Sequence, residues 1–154
     1  MGGNQIVSKL ETIKNKGSVK DIDFLFKCLL SENSEIVKKS FDILVDIKVK
    51  SANKLIIEKI NDKEYNKILN LLVSLCWQSG LDFSDNVLLF YNIVINEDLL
   101  VSIEAMSVIE NIISNNNVSK EIMDEGMKML NTYIKTSQDE VKTLMISDFI
   151  NTYI

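Results

Sequence analysis

Glu104 and Glu110 are the residues of this chain whose types and spacing come nearest to an acid–base pair. General acid–base catalysis needs two such carboxyl groups converging on one substrate. These two stand six residues apart in a segment with helical periodicity, so they do not lie on one immediate helical line. We therefore interpret both as charges on a solvated helix face and predict no catalytic residue.

The residue types that proteins most often use for chemistry are missing from the sequence. It contains no His, the usual proton-transfer side chain near neutral pH, and no Arg, the fork that binds phosphates and carboxylates. Cys28 and Cys76 each lie in an apolar helical run, and two cysteines without His do not form a zinc site. We expect buried, reduced thiols in a cytoplasmic protein, with no metal and no cofactor.

Charge is distributed unevenly along the chain. Residues 1–80 contain 13 Lys and 10 acidic residues, whereas residues 81–154 contain 4 Lys and 12 acidic residues, which gives +3 and −8. The sequence has no Lys between Lys67 and Lys120. Nucleic acids and anionic membranes attract clusters of Lys or Arg, so neither is a predicted partner. The acidic half favours a protein partner with a basic surface.

Helix-length apolar segments break four times at a short polar turn and then restart. The turns occupy residues 31–35, 61–64, 96–98 and 136–140. Their spacing is 30, 34 and 42 residues when it is reckoned from Asn33, Lys63, Glu97 and Asp139. Helical-repeat arrays repeat at this interval. Pro, which costs about 3 kcal/mol inside a helix, is absent, and no segment alternates with period two, so we predict an all-α protein.

The apolar periodicity and the turn residues predict nine helices. Gly80 is expected to end the fifth helix in a left-handed conformation, and Ser18 and Ser137 to begin capping boxes. We predict one domain, with a leading helix in 1–17 and helix pairs in 18–50, 51–80, 81–114 and 115–154. The longest apolar stretches are too short to cross a bilayer. The predicted helices cover about 5–15, 19–30, 35–49, 53–60, 65–79, 85–95, 98–114, 120–135 and 138–153.

The first polar turn and the helix after it resemble a known family. Residues 30–44 read LSENSEIVKKSFDIL and resemble the HEAT repeat consensus, with Ile36, Lys38, Ser40 and Leu44 in comparable places. Residues 137–142 look like the same turn, and residues 76–84 are similar to small bacterial proteins of this class. The Pro and Arg that are usual in the HEAT repeat are missing, which leaves HEAT, armadillo and an irregular hairpin stack as alternatives.

This resemblance implies a right-handed stack of helical hairpins, an α-α superhelix whose concave surface is lined by the second helix of each pair. Trp77 stands beside a polar stripe and is a candidate anchor, or else it closes the core near Gly80. Tyr91 is preferred to Phe90 as a surface residue because its hydroxyl tolerates water. The competing interpretation of each polar stripe is a solvated face. The predicted partner-binding residues are Lys38, Asp42, Asn70, Ser74, Trp77, Tyr91, Glu104, Ser107, Glu110 and Asn111.

The leading functional hypothesis is a non-enzymatic scaffold or adaptor that binds a basic protein on a concave, C-terminally acidic surface. The alternative is an immunity-type inhibitor that neutralises a basic toxin or nuclease by charge complementarity. Some HEAT-like proteins are alkylpurine DNA glycosylases with a basic concave surface, and the lack of Arg disfavours that activity here. We also consider a homodimer, formed through the oppositely charged halves or through Ile150, Tyr153 and Ile154 at the C-terminal end.

Overall fold

The computed structural model describes residues 2–16, 18–47, 51–115 and 118–153. Within these ranges the chain forms nine α-helices and no β-strand, which confirms the predicted all-α class and helix number. No helix in the described ranges has both the length and the hydrophobicity needed to cross a bilayer. The predicted boundaries at residues 17, 49, 50 and 154, and the loop residues 116–117, lie outside the described residues. The helices are α1 (Gly3–Lys16), α2 (Ile22–Cys28), α3 (Ser34–Asp46), α4 (Ala52–Ile60), α5 (Leu69–Gln78), α6 (Val87–Asn96), α7 (Leu99–Ser114), α8 (Lys120–Thr136) and α9 (Glu140–Tyr153).

The chain divides into two compact units, Met1–Leu81 and Asp82–Ile154. In the first unit α3 packs on α1, α2 and α5, and α4 packs on α5. In the second unit α6 packs on α7 and on α8, and α8 packs on α9. Helices that follow one another in the chain and pack together are therefore α2 with α3, α4 with α5, α6 with α7 and α8 with α9. The division falls one residue after the predicted boundary between the second and third pairs.

An Asn or Asp side chain begins the helical segment that follows each of the four polar turns. Such a side chain accepts a backbone N–H that has no intrahelical partner, which stabilises a helix start by about 1 kcal/mol. The acceptor oxygen is Oδ1 in each case. Asn33 accepts the N–H of Glu35 at 3.0 Å, Asp62 that of Glu64 at 2.9 Å, Asp98 that of Val101 at 3.0 Å and Asp139 that of Lys142 at 3.0 Å.

The predicted capping box at Ser137 is wrong. The helix α9 begins at Glu140 instead of residue 138, and Asp139 is the residue that caps it. Ser137 Oγ instead accepts the Asp139 N–H at 3.1 Å and orders the turn before the helix. At Ser18 the reciprocal bond of a capping box is present, because Asp21 Oδ2 accepts the Ser18 N–H at 2.9 Å. Gly80 has a φ of 71°, as predicted for a left-handed helix stop.

The core of the first unit is formed by the apolar faces of α1 to α5. Leu25, Phe26 and Leu72 are completely inaccessible to solvent. Ser40 of α3 is equally buried, and its hydroxyl donates to the carbonyl of Ile36 at 2.7 Å. This bond satisfies the Ser40 hydroxyl, which would otherwise be costly to bury. The small Ser40 side chain can therefore lie where α2 packs on α3.

The core of the second unit is centred on α6, the helix on which both α7 and α8 pack. Phe90, Tyr91 and Val94 of α6 are completely buried. The ring of Phe83, just before the helix, meets Phe90 edge to face with the centroids 6.1 Å apart. Edge-to-face contact is the favoured geometry for aromatic rings, so this pair fixes the start of α6.

Lys142 of α9 binds the C-terminal end of α6. Its side chain is only 3% exposed, and Nζ donates to the carbonyl of Ile95 at 2.8 Å and to that of Glu97 at 2.7 Å. The last carbonyls of a helix lack intrahelical partners and lie at the negative end of the helix dipole. Ser102 Oγ donates to the nearby Val94 carbonyl at 2.8 Å. Charged hydrogen bonds therefore tie α9 to the turn between α6 and α7.

Replacing Lys142 with Met should destabilise the second unit by about 2–4 kcal/mol. The apolar stem is kept, but two carbonyl groups at a partly buried helix end lose a charged donor. Denaturant unfolding followed by circular dichroism measures the loss. Lys135→Met on the exposed side of α8 is the matched control and should change the free energy of unfolding by less than about 0.5 kcal/mol. Equal losses in the two variants would contradict the assigned role.

Gly126 in the middle of α8 is the place where α8 meets Tyr91 of α6. A Cβ atom added at Gly126 would overlap the Tyr91 ring carbons Cε2, Cζ and Cδ2. Glycine in a helix interior costs about 1 kcal/mol relative to alanine. Here that cost is offset because the missing side chain lets an aromatic ring lie directly on the helix backbone.

Gly126→Ala should therefore destabilise the protein by about 1–3 kcal/mol, despite the higher helix propensity of alanine. Thermal unfolding measures the effect. Gly3→Ala serves as the control, because a Cβ there meets Asn33 Nδ2 at 3.9 Å, an ordinary van der Waals distance. Combining Gly126→Ala with Tyr91→Leu should recover part of the loss. If Gly126→Ala were more stable than the unmodified protein, close contact between the α8 backbone and the Tyr91 ring of α6 would be contradicted.

Candidate functional site

The outward face of α7 brings together four of the ten predicted residues, Glu104, Ser107, Glu110 and Asn111. At about 100° per residue they lie within about 120° of the helix circumference. Glu110 is exposed and the other three are half-buried. The opposite face of α7 is buried and consists of Val101, Ala105, Val108, Ile109 and Ile112. Packing of that apolar face on α6 orients the four polar residues outward.

Hydrogen bonds within α7 and the turn after it occupy the neutral polar groups of this face. Ser107 Oγ donates to the carbonyl of Ile103 at 3.2 Å, and Ser114 Oγ donates to that of Glu110 at 2.8 Å. Asn115 Nδ2 donates to Asn111 Oδ1 at 3.4 Å. Hydroxyl groups that bond to their own helix are less available to a partner. The exposed carboxylate of Glu110 is therefore the principal charged group that this face presents.

Two aliphatic side chains on the same face are absent from the predicted set. Leu100 is 71% exposed and Ile103 is 44% exposed. The sequence contains the signal for them, because winding α7 at about 100° per residue places both residues beside Ser107 and Glu110. The prediction considered only the polar residues of this helix, so the two aliphatic side chains were left out. We call the set Leu100, Ile103, Glu104, Ser107, Glu110 and Asn111 the α7 face.

The α7 face belongs to a strongly acidic part of the chain. Residues 82–114 contain six acidic residues and no Lys. Five of the six are exposed in the structure, and Glu104 is half-buried. The ammonium of Lys142 lies close to the α6–α7 turn, but it is buried on backbone carbonyls. Burial lowers the pKa of Lys142, and the carboxylates of Asp139, Glu97 and Asp98 act in the opposite direction.

The predicted residues Lys38 and Asp42 lie in the first unit, at a cleft of about 580 Å³ between α1 and α3. Lys38 Nζ lies 3.6 Å from Asp42 Oδ2, and both side chains are largely exposed. An exposed pair of this kind contributes little stability. The cleft is lined by Leu10, Glu11, Lys14, Glu35, Lys38, Lys39, Asp42, Ile43, Val45, Asp46 and Gln78.

A second ion pair joins the two walls of this cleft. Lys39 Nζ of α3 donates to Glu11 Oε1 of α1 at 2.8 Å. The hydrogen bond and the charge of Lys39 lower the pKa of Glu11, and the same contact raises the pKa of Lys39. Cations and carboxylates are thus intermixed along the cleft, and it offers no surface of a single charge sign.

The structure places the predicted residues of α5 in two different environments. Asn70 and Trp77 are exposed, Trp77 to the extent of 38%. Ser74 is only 8% exposed, so its predicted place on the binding surface is wrong. The amide of Gln78 covers it, with Nε2 donating to Ser74 Oγ at 2.6 Å. Trp77 therefore lies on the outer surface of the first unit and is not a core residue near Gly80.

The predicted exposure of Tyr91 is also wrong, because its side chain is completely buried. The reasoning from a water-tolerant hydroxyl fails since Gly126 lets α8 approach and cover the ring. The glycine inside a helical pattern was the sequence signal for such a close approach. Burial raises the pKa of Tyr91 to about 12. Its hydroxyl makes no hydrogen bond to any described residue.

Ionisation of Tyr91 should destabilise the protein at high pH. The folded-state pKa of about 12 lies above the ordinary value of 10.0, so the contribution to stability is intact below pH 10 and is lost as the pH rises through 12. Tyrosinate absorbance should include a step near pH 12 that moves to about pH 10 in denaturant. Tyr91→Phe should remove that step and leave stability at pH 7 unchanged or slightly higher. A step near pH 12 that persists in the variant would contradict this assignment.

Neither cysteine is positioned for catalysis. Cys28 and Cys76 are free thiols, and both are buried. Desolvation raises the pKa of each, which disfavours the reactive thiolate form. No group of three or more Cys, Asp or Glu residues within the described ranges is arranged to hold a metal ion.

The side chains that the C-terminal helix α9 exposes are not the ones predicted to form a dimer interface. Ile150 is only 5% exposed, so its predicted place at an interface is wrong, and Ile154 lies outside the described residues. The ring of Tyr153 packs on Phe149 with the centroids 4.8 Å apart. The apolar side chains that α9 does expose are Val141, at 60%, and Leu144, at 67%.

Comparison of the chain with protein-family models, with curated proteins and with solved structures finds no match. The resemblance of residues 30–44 to the HEAT repeat therefore stays a prediction. Function has to be inferred from the surfaces of the two units themselves.

Proposed function

We propose that this protein is a non-catalytic interaction module whose acidic second unit binds a protein with a basic surface. The observation that carries the proposal is the stretch 82–114, which has six acidic residues, no Lys and an outward α7 face. Charge complementarity of this kind speeds association and selects partners more than it raises affinity. The partner would bind without any covalent chemistry.

The resemblance to HEAT repeats forms a second part of the proposal. Its support is that successive helices pack as pairs inside each unit and that each polar turn contains an Asn or Asp cap. Helical-repeat proteins commonly act as binding surfaces, because each repeat adds a further helix face. We propose the cytoplasm as the compartment, since two buried reduced thiols are typical of a reducing environment.

Neutralising the α7 face should weaken partner binding. The variant Glu104→Gln with Glu110→Gln removes two negative charges from it, so we expect at least about a fivefold reduction in protein captured from cells that produce this chain. Captured proteins should be basic, and their binding should fall as the salt concentration rises. Quantitative mass spectrometry of the captured fraction measures both effects.

The matched control for this experiment is Asp124→Asn with Glu125→Gln. It removes two charges from exposed positions of α8 and leaves α7 unchanged. Its captured fraction should equal that of the unmodified protein. Equal capture by both variants, or a captured fraction of acidic proteins, would contradict the proposed function.

The narrower alternative is an immunity-type inhibitor that neutralises a basic toxin or nuclease. The same acidic surface favours it, because electrostatically steered inhibitors associate rapidly with basic enzymes. A toxin gene beside the gene for this chain, and protection of cells when both are expressed, would select this alternative. Capture of basic proteins that have no toxic activity would select the general adaptor.

A further inference from the structure

We infer that the α7 face binds an amphipathic helix whose apolar side chains are flanked by Lys or Arg. This inference rests on the proposed function and names the recognition mode of the same surface. The observation behind it is the exposed pair Leu100 and Ile103. Single exposed aliphatic residues are common, but two of them on adjacent turns of one helix face form a patch that typically marks an interaction site.

The positions along α7 divide the face into an apolar end and an acidic end. Leu100, Ile103, Ser107 and Glu110 lie within about 80° of arc, with the aliphatic pair in the first two turns and the carboxylate at the start of the fourth. Ser107 between them is small, and its hydroxyl is bonded to the carbonyl of Ile103 at 3.2 Å. A small residue lowers the ridge of the helix surface, so another helix can pack closely there.

The surroundings of this face select a basic occupant. Glu97 and Asp98 are exposed just before α7, and Glu110 lies toward its C-terminal end, where the helix dipole is also negative. The last turn of α7 contains no basic residue. A neutral or acidic apolar helix would cover these carboxylates without pairing them, which carries a desolvation cost. Lys or Arg beside the apolar stripe of the occupant would pair with them.

The backbone of the protein favours a helix over an extended segment as the occupant. The described ranges contain no strand, so they offer no sheet edge to which an extended peptide could add. A helix surface offers only side-chain ridges and grooves, and another helix is the element that fits them. The 16 residues of α7 are about 24 Å long, so an occupant of about 12–16 residues matches the face.

The chain contains a second exposed apolar pair that serves as an internal control. Val141 and Leu144 of α9 have the same spacing of three residues and similar exposure. However, α9 packs on α8, which carries the exposed residues Lys128 and Lys135, whereas α7 packs on α6, which has no Lys. The second pair is therefore matched in hydrophobicity, but the helix beside it carries exposed Lys residues, which α6 does not.

The test uses the full chain and a synthetic helix of about 16 residues, with Leu along one stripe and Lys on both sides. Fluorescence anisotropy should give a dissociation constant on the order of 10 µM that weakens with salt. Leu100→Ser with Ile103→Ser should weaken binding about tenfold or more, and Glu110→Lys should weaken it and reduce the salt dependence. Val141→Ser with Leu144→Ser should leave the affinity within about twofold.

Three results would overturn the inference. The first is equal binding of a scrambled peptide of the same composition, and the second is an equal loss of affinity in the two serine pairs. The third is a dimer, seen by sedimentation, that Leu100→Ser with Ile103→Ser dissociates, since the occupant would then be a second copy of this chain.

The capture experiment separates the failure of this inference from the failure of the proposed function. If Glu104→Gln with Glu110→Gln reduces capture but the synthetic helix does not bind, the interaction function stands and the amphipathic-helix mode is wrong. If capture is unchanged and the helix does not bind, both are wrong.

Discussion

The second unit depends on one buried ammonium group, that of Lys142, at the C-terminal end of α6. A helix end exposes carbonyls and a negative dipole, and α6 has no basic residue in its own last turn. The donor comes instead from α9, 45 residues further along the chain from Glu97 and 47 from Ile95. A charged group buried to this extent is stabilising only while its hydrogen bonds are made, so the contact specifies where α9 packs.

This internal use of Lys142 has a consequence for the outer surface. The second unit has four Lys, and the other three, Lys120, Lys128 and Lys135, all lie on α8. Because the ammonium of Lys142 donates its hydrogen bonds to the backbone carbonyls of Ile95 and Glu97, it is not displayed on the outer surface. The interaction that stabilises the unit therefore also leaves the α7 face acidic, and the same residue links stability to the proposed charge-selective binding.

The two units differ in how charge is arranged at their surfaces. In the first unit the cleft between α1 and α3 has Lys and carboxylates side by side, and pairs such as Lys39 with Glu11 satisfy one another. In the second unit the carboxylates near α7 have no Lys on the same hairpin. A partner of one charge sign gains more from the second arrangement, because no Lys alternates with the carboxylates along that hairpin.

Helix number and class followed from local signals: apolar periodicity, missing Pro and a short polar turn at each restart. The caps at Asn33 and Asp98 and the left-handed Gly80 are properties of a few consecutive residues, so they could be predicted without knowledge of the fold. The polar part of the α7 face was also accessible by winding the helix, although the aliphatic Leu100 and Ile103 were absent from the predicted set. Apolar character alone does not bury a side chain, since burial needs a neighbouring element on that side.

The sequence by itself determined the local structure of the described residues, namely their nine helices and polar turns, and also the acidic character of the second half. Tertiary structure decided which side chains are covered. Tyr91 is buried because Gly126, 35 residues later, admits its ring, and Lys142 is buried because the end of α6 supplies two carbonyl acceptors. Both outcomes arise from contacts between helices distant in sequence. The periodicity within one helix contains no information about the partner that packs on it.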